Sequence, residues 1–202
     1  MKILNLYAGI GGNRKLWGDD NDITAVELDP KIAQIYQDFF PKDKVVVADA
    51  HEYLLNHFKE FDFIWSSPPC PSHSKVRRFL AVERGQNLPV YPDMKLYEEI
   101  LLLQSYFTGK WCVENVISFY KPLIFPQEIN NHYFWTNFYI RPIKKQSRSH
   151  NAGNERLSIR KGFVLDKYKG IDKTKTLRNC VEPETGLHVF NEAFKNNQAS
   201  LI

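Results

Sequence analysis

Short apolar runs at residues 2–7, 23–27, 45–48 and 61–65 alternate with polar or helix-period stretches through the first third of the chain. Strands that alternate with helices need crossover connections, so they lie parallel in one sheet with helices packed on its faces. Helices are expected after Gly12, over 30–39 and near 52–58, and Pro30 suits the first turn of the second. Apolar residues at helical spacing (Leu96, Ile100, Leu103, Phe107) predict a helix over 93–107, and 111–116 reads as a fifth strand. A further strand is expected within 133–140 and a last helix over 187–194. Residues 71–92 read as a long mobile loop, and 141–175 as polar and basic with little periodicity. The fold class that follows is α/β with a mostly parallel sheet.

A chain of 202 residues suffices for one core with a small appendage. Three scattered cysteines, Cys70, Cys112 and Cys180, exclude a disulfide scaffold and suggest a reducing, cytoplasmic setting. Neither they nor the six histidines have metal-site spacing, so no metal is expected. The opening segment does not read as a signal peptide, and no apolar stretch has the length to span a bilayer. Net charge is unevenly spread. Residues 1–140 carry 14 basic and 17 acidic side chains, whereas 141–202 carry 13 basic and 6 acidic. That polarity points to a polyanionic partner on the C-terminal side.

The chemistry gathers at the ends of the expected strands, where open α/β sheets bind ligands. Gly9, Gly11 and Gly12 after the first strand allow backbone to approach a ligand closely. Glu27 ends the second strand, where a carboxylate can accept from ribose hydroxyls; Asp29 suits a helix cap. Asp49 follows the third strand and can accept from an adenine amino group. No phosphate-cradling Gly-Lys-Ser/Thr element is present, which argues against a triphosphatase. Cys70 follows the fourth strand within Ser67-Pro68-Pro69-Cys70-Pro71, and Glu114-Asn115 ends the fifth. A thiol can attack an electron-poor ring carbon if an acid protonates the ring nitrogen, and a shielded carboxyl can keep its proton for that step. Cys70 and Glu114 are therefore the candidate nucleophile and acid, with Asn115 orienting the loop. Ser74, Lys75, Arg77, Arg78 and Arg84 follow the thiol and are candidates for phosphate contact, while Arg156 and Arg160 further on are alternatives for an arginine in contact with a base.

Three motifs in this order, Leu6-Tyr7-Ala8-Gly9-Ile10-Gly11-Gly12, Pro68-Pro69-Cys70 and Glu114-Asn115-Val116, resemble those of DNA cytosine-5 methyltransferases. His132-Tyr133-Phe134-Trp135-Thr136-Asn137-Phe138 is similar to the compact forms of bacteriophages and prophages, and Arg178-Asn179-Cys180-Val181 to a late cofactor-side motif. The resemblance implies a Rossmann-like class I fold that binds S-adenosyl-L-methionine (AdoMet). It places the cofactor over Tyr7, Ala8, Gly9, Ile10, Gly11 and Gly12, with Glu27 at its ribose and Asp49 at its adenine, and counts Leu28 and Ala50 among the cofactor-binding residues. Ser67 and Pro68 would wall cofactor from base, and Asn179 and Val181 would close the site. It further implies a cytosine flipped from double-stranded DNA, attacked at C6 by Cys70 and protonated at N3 through Glu114. A 1–140 catalytic core, a much reduced 141–175 recognition region and a 176–202 segment folding back on the core complete the expectation. Monomeric action is the default, and a host or restriction-system partner is left open.

Some positions depart from the pattern. Pro71 stands where glutamine usually follows the cysteine, and Asn5 where aspartate usually begins the first strand. Asn131-His132 occupies the apparent place of a base-contacting arginine motif. The alternatives are an RNA cytosine-5 methyltransferase, a silent DNA-binding or decoy protein of the same fold, and a Rossmann-like oxidoreductase. The last leaves Pro-Pro-Cys and Glu-Asn-Val unexplained.

Overall fold

A computed structural model describes residues 1–86, 88, 90–143 and 153–195. The expectations that fall on 87, 89, 144–152 and 196–202, including parts of the 71–92 loop, the 141–175 region and the C-terminal segment, lie outside the described residues.

One seven-stranded sheet organises the chain. Its strands are β1 (Lys2–Leu6), β2 (Asp22–Glu27), β3 (Lys44–Val47), β4 (Phe63–Ser66), β5 (Lys110–Val116), β6 (Gln127–Ile129) and β7 (His132–Thr136). They lie in the order β3-β2-β1-β4-β5-β7-β6. The first five pair in parallel, and β7 enters antiparallel between β5 and β6. This is the doubly wound arrangement expected from the alternating pattern. The strand order reverses between β1 and β4, from which successive strands are added in opposite directions across the sheet, and this opens a crevice at their carboxyl ends.

Among the described residues there are seven helices: α1 (Pro30–Phe39), α2 (Ala50–His57), α3 (Lys75–Val82), α4 (Lys95–Tyr106), α5 (Asn154–Lys161), α6 (Lys173–Asn179) and α7 (Pro183–Ala193). Alternation along β1 divides its side chains between the two faces. Leu4 and Leu6 pack with Leu54 of α2 and Leu96, Ile100 and Leu103 of α4. Ile3 faces the opposite layer, beside Phe63, Trp65, Cys112 and Phe134, under Val189, Phe190 and Ala193 of α7. A third cluster joins Ala8, Ile10, Tyr36 and Phe40 to Leu157, Phe163, Leu165 and Leu177.

Three expectations need correction. The helix after Gly12 is only a 3-10 turn, Arg14–Leu16. Gly18 and the acidic run from Asp19 leave too little chain for more, and buried Arg14 is tied to Asp43 at 2.8 Å. The sheet face left bare is filled by α7: Trp17 stacks on Phe190 at 4.9 Å and donates to the Gly186 carbonyl at 3.2 Å. The 71–92 stretch contains helix α3, capped by Ser74. The 141–175 stretch contains α5 and the start of α6, and its Leu157, Phe163 and Leu165 are buried in one cluster with Ile35 and Tyr36 of α1.

Candidate active site

A cleft of about 850 Å3 runs along the carboxyl ends of β1, β2, β4 and β5. Tyr7, Ala8, Gly9, Ile10 and Gly12 line it after β1, Glu27 at the end of β2 with Leu28 next to it, and Asp49 and Ala50 after β3. Ser67, Pro68 and Cys70 line it after β4, Glu114 and Asn115 within β5, and Asn179 and Val181 after α6. The structure thus brings the expected cofactor residues other than Gly11, the thiol and the carboxyl group into one space.

The glycine turn is held by Glu27. One of its oxygens accepts from the Gly9 amide at 2.9 Å and the other from the Asp29 amide at 3.0 Å. Gly9 has φ +55 and no atom within 4 Å of the place a Cβ would occupy, so it leaves bare backbone on the cleft. The other two glycines serve packing. A Cβ on Gly11 would lie 2.3 Å from the Phe40 ring, and Gly11 does not line the cleft. That corrects its expected place at the cofactor: the residue is a glycine because α1 crosses there. A Cβ on Gly12 would lie 2.2 Å from Cys180 Sγ, so this glycine admits the segment after α6. Asp29 and Asp49 cap α1 and α2 by accepting from the Lys31 and Glu52 amides. Leu28 is 67% exposed beside Glu27, an apolar surface suited to the face of a purine. An unfilled glycine edge, a carboxylate beside it and an exposed apolar side chain fit an adenosyl group.

Cys70 is half-buried; burial, and then the charge of Glu114, push its thiol above the usual range. Its carbonyl accepts from the His73 and Ser74 amides, which fixes the turn after the thiol. Asn115 donates its side-chain amide to the Pro68 carbonyl at 2.9 Å and accepts from the Val116 amide at 2.9 Å. It therefore ties the end of β5 to the Pro-Pro segment. Glu114 is buried, and His132 Nε2 lies 3.7 Å from its carboxylate. Asn130 and Asn131, both with positive φ, form the two-residue hairpin turn that sets His132 at the start of β7.

Other expected nucleic-acid contacts lie outside the cleft. Ser74 Oγ accepts from the Arg77 amide as the α3 cap. Arg77 and Arg78 line a shallow groove with Pro71 and Phe119, and Arg78 lies over the Phe119 ring at 4.9 Å. Lys75 is exposed on the same helix, and Arg84 lies over Phe79. Arg160 is paired with Glu182 at 3.0 Å, and Arg156 is exposed on α5. The cleft's own basic side chains include Lys95, Lys175 and Arg178, which the sequence reading passed over. Also missed were Glu99 and His51, buried beneath the glycine turn. Glu99 had a legible signal: a carboxylate between Leu96 and Leu103 on the apolar stripe of α4. Among the described residues no group of three or more His, Cys, Asp or Glu side chains is placed to hold a metal, and no helix is long and apolar enough to cross a membrane.

A family model described as C-5 cytosine-specific DNA methylase matches residues 1–119. Among solved structures, the chain is similar to a DNMT2 mutant of Spodoptera frugiperda, at 24% identity over 57% of this chain and 35% of that one, with a TM-score of 0.39. The Entamoeba histolytica methyltransferase EhMeth matches at 15% identity over 57% and 38%, with a TM-score of 0.37. A putative DNA modification methyltransferase encoded within an E. coli prophage matches at 19% over 60% and 33%, with a TM-score of 0.40. The chain spans about a third of the length of these three. No curated protein sequence matches. With more than half of its length matched by the family model, and with an α/β sheet in the class I AdoMet-methyltransferase strand order, this chain belongs to the C-5 cytosine-specific DNA methylase family.

Proposed function

We propose that the chain transfers a methyl group from AdoMet to C5 of a cytosine held out of a polynucleotide, through a covalent bond from Cys70 Sγ to C6. The observation that carries this reading is the single cleft shared by the Gly9 edge, Cys70 and Glu114. Gly9, Glu27, Leu28, Asp49 and Val181 would hold the cofactor, which supplies the methyl group when bound. Ser67 and Pro68 would stand between cofactor and base. Asn115 fixes the Pro68 carbonyl and so the approach of Cys70.

The Cys70 thiolate forms the Sγ–C6 bond while the proton on Glu114 moves to N3. C5, now electron-rich, would take the methyl group from the sulfonium sulfur that the cofactor supplies, which would leave as a neutral thioether. A water then accepts the C5 proton, the Sγ–C6 bond breaks to return the thiolate, and N3 returns its proton to Glu114. The charge on Glu114 opposes ionisation of the thiol, so a protonated Glu114 favours the thiolate as well as the ring it attacks.

Duplex DNA is the substrate this reading favours, from the family description and the basic C-terminal third. Cys70 and Glu114 act on the base alone, which DNA and RNA share, so RNA stands as the second reading. Backbone contact is assigned to Lys75, Arg77, Arg78 and Arg84 around α3, and to the 141–175 region with Arg156. The deciding assay is transfer of labelled methyl from AdoMet to matched duplex DNA and structured RNA, with the modified positions mapped. Transfer to duplex DNA, abolished in Cys70→Ala with AdoMet binding retained, is the expected result. Preference for RNA would install the second reading, and nucleic-acid binding without transfer would leave a silent binding protein. Wild-type transfer rates in Cys70→Ala would refute the nucleophile.

A further inference from the structure

Glu99 is fully buried in α4, and a buried carboxylate is costly unless donors surround it. Three donors do. The Tyr7 hydroxyl donates at 2.6 Å, the Ser66 hydroxyl at 2.6 Å, and His51 Nδ1 lies at 3.1 Å. Each comes from a different segment of the cleft. Tyr7 begins the glycine turn, Ser66 precedes the Ser67-Pro68 wall, and His51 follows Asp49 and Ala50.

Tyr7 is also strained. Its φ of +53 is left-handed in a residue that is not glycine, and such a conformation persists only where surroundings impose it. The Glu99 bond is one such restraint, and it acts on the residue that sets the direction of Ala8 and Gly9. Burial and the Glu99 charge keep the Tyr7 hydroxyl protonated, so it remains a donor.

We propose that Glu99 is the positioning residue of the cofactor site: its carboxylate holds the 7–12 turn, the 66–68 wall and the 49–51 segment in the AdoMet-binding arrangement, and a protonated His51 completes the hold. The proposal rests on the reading that this cleft takes AdoMet. The groups around His51 are Glu98, Glu99 and Lys95 of α4, Tyr7 after β1 and Asp49 at the α2 cap. His51 Nε2 lies 3.4 Å from Glu98. The hydrogen bond to Glu99 raises the His51 pKa most, burial opposes it, and Lys95 opposes the pull of Glu98. A raised histidine pKa means that the charged contact is present at low pH and lost as pH rises through that value.

The test is AdoMet binding measured by calorimetry across the histidine range on wild type, Glu99→Gln, Tyr7→Phe and His51→Gln, with melting curves for each. AdoMet's own amino group titrates equally in all four, so the ratio of each variant's affinity to wild type is read. Tyr7→Phe and Glu99→Gln are expected to weaken binding by about tenfold at low pH, as loss of a hydrogen bond to a charged group does. His51→Gln is expected to weaken binding at low pH and to converge on wild type as pH rises. Should Glu99→Gln fail to fold, the two single-donor variants decide. Folded variants that bind AdoMet as tightly as wild type at every pH would overturn the proposal and leave Glu99 a core residue. Failure of wild type itself to bind AdoMet would instead overturn the cofactor reading.

Discussion

Cys70 and Glu114 face opposite demands within one cleft. The nucleophile needs to lose a proton and the acid to keep one, and the carboxylate charge raises the thiol pKa. That coupling is measurable without any substrate. Alkylation of Cys70 by iodoacetamide, followed by peptide mass spectrometry, is expected to speed up with rising pH because the thiolate reacts. At a fixed mildly alkaline pH, Glu114→Gln is expected to react faster than wild type, since the opposing charge is gone. Equal or slower alkylation would remove Glu114 from the thiol's surroundings. Cys112 is fully buried and Cys180 is buried, with burial pushing the pKa of the second up to about 12, so neither competes. The motif residues were legible in the sequence because their spacing and order are distinctive. Glu99 is marked by its place on the apolar stripe of α4, but its partners and His51 were obscured, because a buried network depends on which helix faces meet and one helix pattern holds no record of that.

The missing first helix is the main departure at the level of elements. Strand alternation made the sheet legible, including every parallel strand, but Gly12 to Gly18 proved too short for the helix expected there. Its place against Ile3 and Phe63 is taken by α7, which comes from the far end of the chain. Nothing local in 187–194 shows that partner. Close backbone contact makes the substitution testable. A Cβ on Gly186 would lie 2.5 Å from the Asn13 carbonyl oxygen, and Asn13 in turn donates to Asn5 at 2.8 Å. Gly186→Ala is expected to cost about 1–3 kcal/mol in urea unfolding. Gly153→Ala, where a Cβ meets nothing within 4 Å, is expected to cost less than about 1 kcal/mol. Equal losses would mean that α7 is not seated on the turn. The 141–175 region was misread for a related reason: its apolar residues are too sparse to show periodicity, yet Phe163 and Leu165 are buried.

Over the whole molecule, the acidic N-terminal two-thirds carries the proposed chemistry and the basic remainder returns to its cleft through Lys175 and Arg178. If those two groups meet phosphate, Lys175→Ala and Arg178→Ala should each lower the salt dependence of duplex binding by about one counterion. An unchanged slope in both would place the polyanion elsewhere. The central claim is the bond between Cys70 and a cytosine ring, and a duplex carrying 5-fluorocytosine at the mapped target tests it most directly. Fluorine cannot leave C5 as a proton does, so the Sγ–C6 bond cannot break after methyl transfer. The account predicts an AdoMet-dependent complex that survives denaturation, with the methylated base attached to the Cys70 peptide. Methylation of the ordinary duplex with no trapped complex, or trapping on any other residue, would contradict it.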